Sequence, residues 1–339
     1  MKSLINTRIL FFFIVIISLC VYLPYLNLQQ KVDIESESIL FDINPGDSFG
    51  KILNNLKKEN IISNTNWIYL YIRLFNKSNQ IKAGEYLILR EDSHLDIIDQ
   101  FISGKVHLHA FTIIEGWTLT DLSDAMLNSS FIIEGNKSLD HNNYTDKFHL
   151  DSSEITAEGL FLPETYFIAK GTTPEMLYDI SHKMLMEELN NQWDNRAPNL
   201  PLKSPYEALI LASIIEKETA VDDERPRISS VFVERLKVNM PLQTDPTVIY
   251  GMGKDFNGNL TRKDLRTDTI YNTYTRYGLP PTPISLPGRN SIAAALNPSN
   301  EKNKYFVATG DKDGRHKFSQ TRPEHERAVR EYLSKIKGN

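Results

Sequence analysis

The chain has 339 residues, enough for two modest domains with accessories, and 41% of them are hydrophobic, so a packed core is attainable. A formal charge of -5 excludes a general nucleic-acid binder, which would carry a basic stripe. The single cysteine, Cys20, lies in an apolar N-terminal run, which excludes disulfides, zinc–thiolate sites and thiol catalysis from the rest of the chain.

Residues 1–8 carry Lys2 and Arg8 and no acid, and Ile9 to Leu26 is apolar except for Ser18 and Pro24. That run is just long enough to span a bilayer as a helix. The preceding cations put the N-terminus in the cytoplasm, so the rest of the chain is expected outside the cytoplasm. No small-x-small cleavage site follows, which favours an uncleaved anchor over residues 9–29 against a signal peptide. Leu19 stands before Cys20 where a lipoprotein signal would have a small residue.

From Ile34 to about Gly104 the chain is expected to alternate short strands and helices. Ile39 to Ile43 reads as a strand, and Ser48 caps a helix that runs to about Glu59. Asn66 to Phe75 reads as a second helix and Glu85 to Leu89 as a strand. Ser93 caps a short amphipathic helix from Leu95 to Ile102. The stretch Phe41 to Ser48 is echoed by Phe111 to Thr118: each reads strand, glycine turn, hydroxyl cap, helix. Small β-α units of this kind resemble LysM-like glycan-binding modules; a spacer with no ligand is the alternative.

Asn128 to Thr156 is mostly polar and reads as a surface excursion. Order is expected to return at Glu158 to Tyr166. Thr173-Pro174 then opens a long helix to about Trp193. Ser204-Pro205-Tyr206-Glu207 reads as a capping box for a helix that is apolar on nearly every face, hence central to the core. It ends in Glu216-Lys217-Glu218-Thr219. A carboxylate at the end of a buried helix loses solvation, so it can keep a proton near neutral pH and serve as a general acid. Glu216 and Glu218 point roughly 200° apart on a helix, so at most one belongs to an active site. Glu218 shares its face with Leu211, Ile214 and Ile215, which favours it weakly. Two solvated residues at a fraying helix end is the bland alternative.

Two further stretches, Met240 to Gly251 and Tyr271 to Ile284, offer amides, hydroxyls and aromatic rings on turn-rich backbone. A sugar cleft needs those groups; ordinary turn chemistry uses them too. The candidate substrate-binding residues are Glu164, Tyr166, Gln243, Thr244, Asp245, Thr247, Tyr250, Asn272 and Tyr274. The eight histidines form no metal-ligand pattern, and His107 and His109, alternating along a strand, read as structural or solvated. No cofactor is expected. A charged amphipathic helix from Pro323 to about Ile336 closes the chain.

Ala212 to Ala220, Leu242 to Gly251, Tyr271 to Thr275 and Gly278-Leu279-Pro280-Pro281, with Asn297-Pro298 and Tyr305 to Ala308, together resemble the endolytic murein transglycosylases of the MltG, or YceG-like, family. The resemblance implies an α+β architecture: an N-terminal transmembrane helix, a small LysM-like module at 30–108, and a mixed α/β catalytic domain at 109–339. It implies a lyase that cuts peptidoglycan strands internally between N-acetylmuramic acid and N-acetylglucosamine and leaves 1,6-anhydro ends. Its acid corresponds here to Glu218, the second Glu of the Glu-Lys-Glu-Thr motif. Glycan strands, the membrane and peptidoglycan synthases are the implied partners. A muramidase-type hydrolase pairing Glu218 with Glu164 or Asp245, and a non-catalytic glycan-binding scaffold, are the competing readings.

Overall fold

Helix caps and apolar spacing set most of the element boundaries in this computed structural model, which describes residues 22–133 and 156–337 together with Phe11 and Tyr144. Most of the anchor expected at 9–29, and most of the polar stretch from Asn128 to Thr156, lie outside the described residues. Among the described residues no helix is long and apolar enough to cross a membrane.

The chain divides into two units. One holds the described residues up to Ala110 together with Phe167–Thr172, and the other holds Phe111–Tyr166 and the rest of the chain from Thr173.

In the first unit, β1 (Ser38–Ile43) pairs antiparallel with β2 (Gly84–Leu89), with Phe41 opposite Tyr86. Two helices, α1 (Phe49–Lys58) and α2 (Asn66–Leu74), lie between them in sequence, and α3 (His94–Ser103) follows. Ser48 caps α1 by accepting from Lys51 N. Ser93 and Asp96 form a full capping box on α3, which satisfies two of its free N–H groups. Phe41, Leu56, Ile68, Ile72, Ile97 and Phe101 bury the apolar faces these caps orient. β3 (Leu108–Thr112) pairs with β4 (Thr165–Ala169), and the division between the units falls within both strands.

In the second unit, Thr118 caps α4 (Leu119–Leu127) with a second full capping box. The strand–turn–cap–helix echo is thus realised in both places. Thr173 caps α5 (Pro174–Asp194). The centre is α6 (Pro205–Glu218), whose residues Ala208 to Ile215 are all buried. It packs against α5, α7 (Arg225–Lys237), α8 (Asp245–Met252) and α9 (Arg289–Leu296). Its cap is half of the expected box: Ser204 Oγ accepts from Glu207 N at 3.2 Å, but the Glu207 carboxylate reaches past Ser204 to Lys203 N, at 2.6 Å. A hairpin of β5 (Tyr305–Ala308) and β6 (His316–Ser319) leads to α10 (Arg322–Lys337).

Gly159 shows how tightly α6 is enclosed. Its φ is +78°, and a Cβ there would stand 2.3 Å from Pro283 Cβ and 3.1 Å from the Ser285 carbonyl oxygen. Ile284 N in turn donates to Ser213 Oγ on α6 at 3.0 Å, and Ser285 Oγ donates to the Ser213 carbonyl at 3.2 Å. Gly159→Ala should therefore lower stability by about 2–4 kcal/mol, combining left-handed strain with overpacking. Urea unfolding checks this, and an unchanged midpoint would contradict it.

Candidate active site

Glu218 is the last residue of α6, and its carboxylate accepts a short hydrogen bond from Thr244 Oγ1. Thr244 is itself held: its N–H donates to Thr273 Oγ1 at 3.1 Å, and Thr273 Oγ1 also meets Thr247 Oγ1 at 2.9 Å. Thr247 Oγ1 closes the set on the Thr244 carbonyl at 2.8 Å. A lattice of buried hydroxyls thus fixes the Thr244 side chain that donates to Glu218. Arg235 pins the same segment from behind, donating to the Leu242 carbonyl at 2.6 Å and the Lys304 carbonyl at 2.7 Å.

Burial pushes the Glu218 carboxyl up to about 7, and the charge of Asp245 adds to the rise. The Thr244 hydrogen bond and the positive charge of Arg235 act the other way. A carboxyl in that range holds a proton at neutral pH and can release and recover it, as acid–base work requires. Thr244→Val keeps the shape and removes the donor. Glu218 should then titrate above 7, and the alkaline limb of any activity that depends on its proton should move to higher pH. A limb that stays in place would contradict this role for Thr244.

The other carboxyl of the motif has a different place. Glu216 accepts from Gly288 N at 2.9 Å and pairs with Arg225 Nη2 at 3.3 Å. It is a buried anchor between α6, α7 and the start of α9.

The remaining candidate residues separate into two groups. Asp245, exposed at the start of α8, accepts from the Tyr274 hydroxyl at 2.5 Å, and Gln243 is exposed beside it with φ +50°. These three stand with Thr244 on the Glu218 side. Asn272 is buried, and its amide donates to the carbonyls of Asp264, Leu265 and Thr267, so it organises a turn. Tyr166 is buried and donates to the Leu162 carbonyl at 2.7 Å. Tyr250 points to Glu158 at 3.1 Å. Glu164 faces Arg289 at 3.8 Å, on a cavity of about 450 Å³ that it lines with Glu115 and Arg289.

Sequence reasoning missed Glu158. It is 4% exposed and accepts from Leu119 N at 2.9 Å as well as from Tyr250. Burial raises its carboxyl to about 7. The available signal was an acid inside the otherwise apolar run Ala157 to Leu162.

One group in the first unit has metal-ligand donor types. The ligand atoms of Glu85, His107 and His109 lie within 4.8 Å of one another. Glu85 already accepts from His109 Nε2 at 2.6 Å and Lys170 Nζ at 2.9 Å, so these two donors account for a buried carboxylate there. The ring of His107 lies edge-on to that of His109 at 4.8 Å, on the same face of the strand.

The chain that carries this part-buried carboxyl at the end of a core helix matches a protein-family model. That model, described as YceG-like, matches residues 41–331, and the chain belongs to this family. A Bacillus subtilis (strain 168) protein named endolytic murein transglycosylase is 30% identical over 328 residues, spanning 91% of this chain and 89% of the relative. A Streptococcus pneumoniae (strain D39) protein of the same name is 25% identical over 345 residues, and the match spans 92% of this chain and 62% of that longer protein. The crystal structure of a yceG-like protein from Listeria monocytogenes superposes with a TM-score of 0.53 at 29% identity, covering 86% of this chain and 99% of that one.

Proposed function

We propose that this chain is an endolytic murein transglycosylase, a lyase of peptidoglycan glycan strands, with Glu218 as its acid and base. The observation that carries the assignment of Glu218 is its environment: a part-buried carboxyl raised to about 7 and held by Thr244, in a chain whose relatives bear that name.

One carboxyl suffices for the reaction. Protonated Glu218 gives its proton to the glycosidic oxygen between N-acetylmuramic acid and N-acetylglucosamine, and the C1–O bond breaks. The carboxylate that remains takes the proton from the muramic C6 hydroxyl as that oxygen bonds to C1. A 1,6-anhydro ring forms, Glu218 recovers its proton, and no water is consumed. A hydrolase of the usual kind needs a second carboxylate flanking the bond. Glu164 is engaged with Arg289 and Asp245 with the Tyr274 hydroxyl, which weighs against either as a free nucleophile or base. Asp245, Gln243 and Tyr274 are instead suited to the polar edges and apolar face of a sugar.

The finer reading places an anchor at 9–29 in the bacterial inner membrane, with the catalytic part on the periplasmic side. There it would meet nascent glycan beside a synthase and end its growth. The first unit, with its β-α-α-β order and antiparallel pairing, suits a LysM-like module. Timed digestion of long un-crosslinked strands tests the endolytic claim. Mid-length fragments should precede short ones, whereas steady release of disaccharides from the start would overturn it. A topology reporter fused after residue 339 tests the orientation, and a cytoplasmic signal would overturn that.

A further inference from the structure

The geometry points to Glu158 as a positioning residue for the reaction, tying α8 and α6 together so that Thr244 stays on Glu218. This rests on the reading of Glu218 given above, and goes beyond it by assigning work to a carboxyl that the chemistry does not use.

Glu158 and Gly159 are adjacent residues that grip two different elements. Glu158 accepts from the Tyr250 hydroxyl, near the C-terminal end of α8, at 3.1 Å. Gly159 packs under Pro283 and Ser285, the segment that hydrogen-bonds Ser213 on α6. Glu158 also accepts from Leu119 N at the start of α4, so the dipeptide is fastened on a third side. Thr244 stands at the N-terminal end of α8 and Glu218 at the C-terminal end of α6. Whatever shifts α8 along or about its axis therefore moves Thr244 relative to Glu218. The Tyr250 ring rests edge-on against Tyr271 at 4.8 Å, and Tyr271 precedes the Asn272-Thr273 turn that holds Thr244. Both ends of α8 are thus registered through one buried carboxyl and the turn it braces. A carboxyl that is 4% exposed is costly to bury unless its partners repay it, and a hydrophobic side chain would pack there without that cost.

Three variants separate positioning from chemistry and from plain stability. Glu158→Leu keeps volume and removes both hydrogen bonds. Glu158→Gln keeps an acceptor for Leu119 N and offers an amide to the Tyr250 oxygen. Tyr250→Phe removes one bond and retains the ring. Positioning predicts that kcat on glycan strands falls about 10–100-fold in Glu158→Leu with KM little changed. It also predicts that Gln recovers most of that loss, and that Tyr250→Phe adds little on top of Leu. If Gln is as inactive as Leu, Glu158 is exchanging protons and the proposal fails. If Leu lowers the unfolding midpoint but leaves kcat per folded molecule unchanged, the role is stability alone and the proposal also fails. Side-chain carbon NMR of Glu218, in wild type and in Tyr250→Phe, reads the link without any turnover. The Glu218 titration should move when the Tyr250 hydroxyl is lost, and a curve that does not move overturns the proposal even if the wild-type reaction proves hydrolytic.

Discussion

Glu218→Gln should abolish strand cleavage while leaving the fold intact. A positioned acid–base contributes about 10²–10⁴-fold, and here one group does both halves of the work, so a loss at the upper end is expected. Gln fills the same volume and still accepts from Thr244, so binding to glycan should persist. The parent enzyme should lose activity as pH rises through about 7, where Glu218 gives up its proton. Stability follows the same proton. The folded-state value lies above the ordinary one, so ionised Glu218 is disfavoured in the fold. Below its ordinary value of 4.5 both folded and unfolded chains hold the proton and nothing is lost. Between there and about 7 the stability cost grows, and above that it is complete. Glu218→Gln should thus be at least as stable as the parent at pH 8. Thermal unfolding at pH 5 and pH 8 reads this directly, and a variant less stable than the parent at pH 8 would contradict it. Retained cleavage by the variant would mean that another group is the acid, and no cleavage by the parent would favour the scaffold reading.

Arg225→Leu should be the most damaging single change to stability near the site. Arg225 is buried, and its guanidinium serves Glu216 at 3.3 Å, Ser291 Oγ at 3.1 Å and the Asp222 carboxylate, with Glu115 at 4.0 Å. Glu216 has a side chain only 6% exposed, so removing its cation leaves a buried carboxylate that faces the charge of Glu115 with no guanidinium between them. Breaking such a pair from one side costs about 3–5 kcal/mol. Glu216→Gln is the milder test, because the amide can still accept from Gly288 N and Arg225 keeps the Asp222 carboxylate. We expect it to keep most of the stability and, in contrast to Glu218→Gln, to keep cleavage. Chemical denaturation of the two variants side by side checks the order, and equal midpoints would contradict the assignment of Glu216 as an anchor.

The caps and the apolar spacing of α1, α2, α3, α5 and α6 are local properties, so they could be read from residues such as Ser48, Ser93, Thr173 and Ser204 before any packing was known. The half-made box at Ser204 shows the limit: Lys203 N competes for the Glu207 carboxylate, and nothing in the four-residue pattern reveals that. α8 opens on Asp245-Pro246, an acid and a proline suited to a first helical turn, but it is only eight residues long and lies among turn residues, so it reads as part of a turn-rich stretch until Thr247 and Val248 are seen packed in the core. The same limit governs the site. That Glu216 and Glu218 diverge follows from helix geometry. Which of them meets Thr244 depends on a turn 26 residues later in the chain. Asn272, Thr247 and Tyr166 have side chains that suit a sugar cleft, yet each spends its polar group on the protein's own backbone, at least in part. Glu158 was overlooked for the converse reason, since an acid in an apolar run declares itself only once its partners, Leu119 and Tyr250, are folded around it.

Mass spectrometry of the products released from un-crosslinked glycan strands, with Glu218→Gln in parallel, tests the central claim most directly. The account predicts internal fragments ending in 1,6-anhydro-muramic acid from the parent and none from the variant. Fragments heavier by one water, with reducing ends, would contradict the single-carboxyl route and require a second catalytic carboxylate.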